Sequence, residues 1–143
     1  MSAIAELLGD DGPLAASVPG FFPRKEQQLM AQATADTIAA SETLIVEAGT
    51  GTGKTFAYLM PALQSGKKII ISTGTRHLQD QLFGKDLPVV RDALHAPVRA
   101  ALLKGRANYL CWHRMGTAAS DGRRLSGRQL HELEDIRSWS ART

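Results

Sequence analysis

A single cysteine, Cys111, stands in 143 residues, so no internal disulfide can form and a reducing compartment is expected. No stretch approaches the roughly 18 apolar residues of a membrane span. Residues 1–20 carry acids where a signal peptide would carry bases ahead of an apolar run. Aromatics are scarce at 6%, and neither sign of charge dominates, with 17 Lys/Arg against 14 Asp/Glu. Internal repeats and low-complexity tracts are also lacking. These absences exclude a disulfide framework, a membrane span and a disordered or collagen-like chain. What remains is a globular chain of one-domain size, expected in the cytoplasm, as a monomer and away from membranes.

The charge is uneven along the chain. Residues 1–99 hold 9 Lys/Arg against 10 Asp/Glu, whereas residues 100–143 hold 8 against 4, and seven of those eight bases are arginine. A basic third of this kind suits contact with phosphates, and a solvated helical face gives the same count.

Hydrophobic spacing gives the expected elements. Residues 1–20 mix Ile4, Leu7 and Leu8 with the turn signal Gly9-Asp10-Asp11-Gly12-Pro13 and read as a loosely attached arm. Lys25–Ala39 reads as a helix ended by Ser41-Glu42. The apolar runs Thr43–Val46 and Lys67–Thr73 read as buried strands, and Pro97–Leu103 as a third. Further helices are expected over Lys54–Gln64, over Arg76–Phe83 with a stop at Gly84, and after Pro88. Asn108–Met115 and Ser126–Trp139 read as helices around a loop at Gly116–Gly122. Strands alternating with helices predict an α/β fold with a parallel sheet flanked by helices.

Between the first strand and its helix lies Ala48-Gly49-Thr50-Gly51-Thr52-Gly53-Lys54-Thr55. That context is the one a phosphate-binding loop requires. Glycines let backbone N–H groups turn toward a polyphosphate with no Cβ in the way. The following helix N-terminus adds unpaired N–H groups and partial positive charge. Lys54 supplies a mobile cation for the β- and γ-phosphates, and the Thr55 hydroxyl is a hard oxygen ligand for Mg²⁺. The strict pattern opens on glycine, where this chain has Ala48. Hydrolysis needs more: an acid on the metal, at the end of a second strand. No apolar run here ends in Asp-Glu; Asp10-Asp11 lies in a turn and Glu134-Asp135 in a polar helical stretch.

Four ordered segments then carry a family resemblance. Arg24-Lys25-Glu26-Gln27-Gln28-Leu29-Met30 resembles the R-x-x-Q-x-x-M element ahead of the phosphate loop in XPD-like superfamily-2 helicases, in the bacterial DinG/YoaA branch. Ala48–Thr55 resembles that family's motif I, where alanine at the first position is usual. Ser72–Leu82 resembles its motif Ia, and Leu103–Cys111 the segment bearing the first cysteine of its four-cysteine iron–sulfur cluster.

The resemblance implies a partial RecA-like P-loop NTPase domain, with an arm over residues 1–20, the ATP-binding part over 21–105 and the start of a helical iron–sulfur insertion over 106–143. On this reading the chain is an N-terminal piece of a longer helicase. It implies ATP and Mg²⁺ as cofactors and single-stranded or forked DNA as partner. A [4Fe-4S] cluster is implied for the full-length protein alone, with Cys111 as one thiolate. Arg24 and Gln27 would meet adenine; on their own chemistry a glutamine and an arginine on a polar helix face are as readily solvated. Thr73, Thr75 and Arg76 would meet single-stranded DNA, and either threonine could equally be a helix N-cap. Cys111 alone is also compatible with a small hydrophobe. Two other readings stay open: a stand-alone nucleotide-binding module without turnover, and a small P-loop kinase whose lid arginines would be Arg123, Arg124 and Arg128.

Overall fold

The computed structural model describes residues 3–120 and 125–142, so Arg123 and Arg124 of the kinase reading lie outside the described residues. Eight α-helices are described: α1 Ala3–Leu7, α2 Pro13–Ser17, α3 Lys25–Ala40, α4 Lys54–Gln64, α5 Arg76–Gln81, α6 Leu87–Ala93, α7 Trp112–Ser120 and α8 Gly127–Ser140. A π-helical turn, Leu82–Asp86, joins α5 to α6, and a 3₁₀ turn spans Arg106–Asn108. The chain divides into two compact units, Met1–Leu102 and Leu103–Thr143.

In the first unit α3 packs along α4, and Ala31 and Ala57, both fully buried, let the helices approach. Leu59, Met60 and Val90 complete the interior with Leu8 and Leu14, all at 0% exposure. Leu8 and Leu14 come from the segment expected to be a loose arm. That expectation is corrected: the segment is part of the core, and Ile4 joins it. Gln28 fixes it further, its Nε2 donating to the Ala5 carbonyl at 3.4 Å and the Leu8 carbonyl at 3.2 Å. Those carbonyls lie at the end of α1, where helical partners run out.

The ends of α3 and α4 follow local chemistry. Ser41 takes a left-handed conformation (φ 58°), and the N–H of Glu42 returns to the Thr37 carbonyl at 3.1 Å, closing α3 where the sequence breaks. The expected stop at Gly84 is corrected. Gly84 lies inside the π turn, and helical backbone runs from Arg76 to Ala93. The wide turn resets the hydrogen-bond register, so Pro88 falls in the first turn of α6, where its missing N–H is not needed.

The three expected strands are not formed: among the described residues there is no strand. β-Branched composition favours the strand backbone, but a ladder needs a partner, and local pattern does not specify one. Ile45 and Ile70 stand 93% and 91% exposed.

In the second unit, helix starts at Trp112 rather than Asn108 and continues through the expected loop to Ser120. Helix α8 begins with a capping box: Ser126 accepts from the Gln129 N–H, and the Gln129 side chain accepts from the Ser126 N–H. The exposed tryptophans Trp112 and Trp139 both belong to this unit.

Candidate nucleotide-binding site

Ala48–Thr55 runs directly into α4, as the loop pattern requires. Gly51 and Gly53 take positive φ of 79° and 77°, backbone that costs an L side chain about 1–2 kcal/mol. Gly53 occupies the N-cap position of α4, so the first free N–H groups of the helix follow it. Lys54 lies across its own loop, with Nζ donating to the Ala48 carbonyl at 2.7 Å and the Gly49 carbonyl at 2.6 Å. Thr52 closes the turn by donating from Oγ1 to the Gly49 carbonyl at 3.0 Å. The ammonium is therefore held at the mouth of the turn by two neutral acceptors, which an anionic phosphate oxygen would outcompete.

Gln27 reaches this loop from α3. Its Nε2 donates to the Gly53 carbonyl at 3.0 Å, and the side chain is 3% exposed. The contact is close enough that a Cβ on Gly53 would lie 2.1 Å from that Nε2. The other end of the amide, Oε1, is buried without a hydrogen-bond partner. An unmet buried acceptor costs about 1–3 kcal/mol, and a donor such as an exocyclic amine would satisfy it. Arg24, the N-cap residue of α3, is exposed.

Tyr58 lies one turn beyond Thr55 on α4. Burial pushes the Tyr58 hydroxyl above its ordinary value, the Thr55 hydrogen bond opposes this, and the negative charge of Asp86 adds to the rise. Asp86 is itself buried and accepts from Gln81 Nε2 at 3.3 Å. Tyr58, Gln81 and Asp86 were not among the residues expected to matter. Tyr58 could have been found by its spacing from Thr55, whereas the link to Asp86 depends on the π turn, which the sequence does not announce.

The other expected site residues are more dispersed. Thr75 is the N-cap of α5, accepting from the Leu78 N–H at 3.2 Å, and Thr73 Oγ1 donates to the Thr75 carbonyl at 3.1 Å. Arg76 is exposed at the first position of that helix. Cys111 is a free, exposed thiol. Among the described residues no group of three or more His, Cys, Asp or Glu could hold a metal, so Cys111 by itself does not fit an iron–sulfur cluster. An apolar groove of about 340 Å³ is lined by Met30, Thr34, Thr37, Ile38, Leu44 and Val46, with no residue of the loop.

Residues 27–108 match the family model for DEAD/DEAH box helicases. The chain is 52% identical over 133 residues to the ATP-dependent DNA helicase YoaA of Escherichia coli, an alignment covering 93% of this chain and 21% of that protein. It is 38% identical over 141 residues to the ATP-dependent helicase DinG of Mycobacterium tuberculosis, covering 93% of this chain and 21% of the relative. Similarity extends to a Bacillus subtilis protein named 3'-5' exonuclease DinG, at 42% over 110 residues, 74% of this chain and 12% of that one. The chain thus spans about one fifth or less of the length of these relatives. No solved structure matches it.

Proposed function

The chain belongs to the DEAD/DEAH box helicase family, and from that premise we propose that it carries the ATP-gripping part of an ATP-dependent DNA helicase. The observation that supports this best is the joined geometry of loop and helix. Gln27 is hydrogen-bonded to Gly53, and Lys54 is folded over Ala48 and Gly49 at the start of α4. Membership implies a RecA-like fold, and the parallel sheet of that fold is part of this proposal. The segments expected to supply it are Thr43–Val46, Lys67–Thr73 and Pro97–Leu103, the first two lying ahead of proposed contact segments.

ATP fits the residues present. Backbone N–H groups from Gly49 to Thr55 and the α4 N-terminus would cradle the phosphates, with Lys54 released from its carbonyl acceptors to pair with them. The Thr55 hydroxyl would offer a lone pair to Mg²⁺, which supplies charge neutralisation on the phosphates when bound. Gln27 Oε1 would accept from the adenine amine while its Nε2 keeps the loop in place, and Arg24 would lie over the base. Thr73, Thr75 and Arg76 would meet the backbone of single-stranded DNA. Phosphate contacts of that type position a strand without reading its sequence. Cys111 would contribute to a cluster only together with thiolates outside this chain.

Equilibrium titration with a fluorescent ATP analogue tests the reading. Lys54→Ala should weaken binding about 10- to 100-fold, the loss of a charge-assisted contact worth about 1.5–3 kcal/mol. Equal affinity in a folded Lys54→Ala variant would remove the site from this loop.

A further inference from the structure

Residues 103–120 of the second unit carry Lys104, Arg106 and Arg114 and no acid, a run of one sign that the proposed nucleotide and strand contacts leave unused. Arg106 and Arg114 are exposed, and among the described residues neither has a carboxylate partner. The described acids of this unit lie on α8, where Arg128 Nε meets Glu132 Oε1 at 3.0 Å and His131 Nε2 stands 3.8 Å from Asp135 Oδ2. A basic run attracts polyanions of any kind. The aromatics within it narrow the choice: Tyr109 is 52% exposed and Trp112 61%, although such rings gain most by leaving water.

The Tyr109 side chain is tied down at its polar end. Its hydroxyl accepts from the Lys104 N–H at 2.9 Å. Three further bonds close the 3₁₀ turn between them: the Asn108 N–H and Nδ2 donate to the Gly105 carbonyl at 2.9 and 3.1 Å, and the Tyr109 N–H donates to the Arg106 carbonyl at 3.2 Å. A ring fixed in this way and still half in solvent loses little freedom when a flat partner stacks on it. Trp112 opens α7 three residues later, so the two Cα atoms are at most about 11 Å apart. A few nucleotides cover that span at about 3.4 Å each. Cations and rings alternate along the segment, the pairing that unpaired bases and their phosphates require. A duplex keeps its base faces stacked inside, and a lipid headgroup has none.

We propose that Tyr109 and Trp112 are stacking platforms for the bases of a single-stranded nucleic acid, with Arg106 and Arg114 on its phosphates. The Lys104 N–H holds the Tyr109 ring in place through the hydroxyl. These residues belong to the second unit, whereas Thr73, Thr75 and Arg76 belong to the first. The assignment rests on the proposed reading of the chain as part of a DNA helicase, and it adds residues for that same class of partner.

Anisotropy of a fluorescein-labelled oligothymidylate, titrated with the 143-residue chain, tests this, with inorganic polyphosphate as a competitor that has no bases. Tyr109→Leu and Trp112→Leu should each weaken oligothymidylate binding about fivefold or more and leave the inhibition constant of polyphosphate unchanged. Tyr109→Phe, which keeps the ring and loses the tie to Lys104, should lose less than Tyr109→Leu. Arg106→Ala should reduce the slope of log affinity against log salt by about 0.7, the value for one phosphate of a single strand. Parent affinity in both leucine variants would overturn the proposal. An equal loss toward polyphosphate would do so too, because it would mark disturbed charge rather than lost stacking. Weaker binding in Arg76→Ala, with both leucine variants at parent affinity, would keep the helicase reading and remove this surface. If the parent chain left oligothymidylate unbound at low salt, the strand contacts of the proposed function would fall together with it.

Discussion

At Gly53 two independent demands meet on one Cα. Its φ of 77° disfavours any side chain, and the space a Cβ would take is filled by Gln27 Nε2. Gly53→Ala should therefore cost about 1–2 kcal/mol in backbone strain and about 1 kcal/mol more as Gln27 swings away from the Gly53 carbonyl. Urea unfolding of the variant should show a lower midpoint at unchanged slope; an unaltered midpoint would mean that the loop relaxes without loss. Tyr58 makes a second prediction at this scale. Its hydroxyl titrates above the ordinary value of 10.0, so the folded chain holds that proton more tightly than the unfolded chain does. The resulting stabilisation is complete below pH 10.0 and is lost as pH rises through the higher folded value. Unfolding midpoints of the parent chain should fall more steeply above that pH than those of Tyr58→Phe.

Among the elements, α1 and α2 are short, yet they supply Leu8 and Leu14 at 0% exposure. Leu8→Ala should destabilise the first unit by about 2–5 kcal/mol, the cost of a large-to-small change in a filled core, readable in the same urea experiment. A loosely attached arm would give a value near zero. The helices α3 and α4 were legible from the sequence because their signals are local. Ser41 ends one, and the glycine-rich turn begins the other at Lys54. The geometry of the candidate loop was legible for the same reason, since Gly51, Gly53, Lys54 and Thr55 lie within one turn. Gln27 needed the family resemblance to be singled out, and the structure adds its bond to Gly53, 26 residues away. What stayed illegible is non-local. The core role of Leu8 depends on helices folded later in the chain, and the π turn at Leu82–Asp86 overrides Gly84 through register and packing rather than composition. The runs at Thr43–Val46 and Lys67–Thr73 carry strand chemistry, but pairing is a property of two segments and cannot be read from one.

For the molecule as a whole, the contrast lies between a filled helical interior and apolar side chains left in water. Ile45 and Ile70 are almost fully exposed in segments rich in strand-forming residues, a combination that promotes edge-to-edge association. Ile70→Lys should leave folding stability within about 0.5 kcal/mol while lowering concentration-dependent light scattering. A fall in stability would show that Ile70 is covered in solution.

The placement of the chromophores has a practical consequence. Both indoles, Trp112 and Trp139, belong to Leu103–Thr143, whereas all four phenylalanines and Tyr58 belong to Met1–Leu102. Indole emission during denaturation therefore originates in the smaller unit, and an early, shallow optical transition would describe α7 and α8 alone. Assays of the proposed phosphate-binding loop need a label on the nucleotide or a tryptophan introduced near α4.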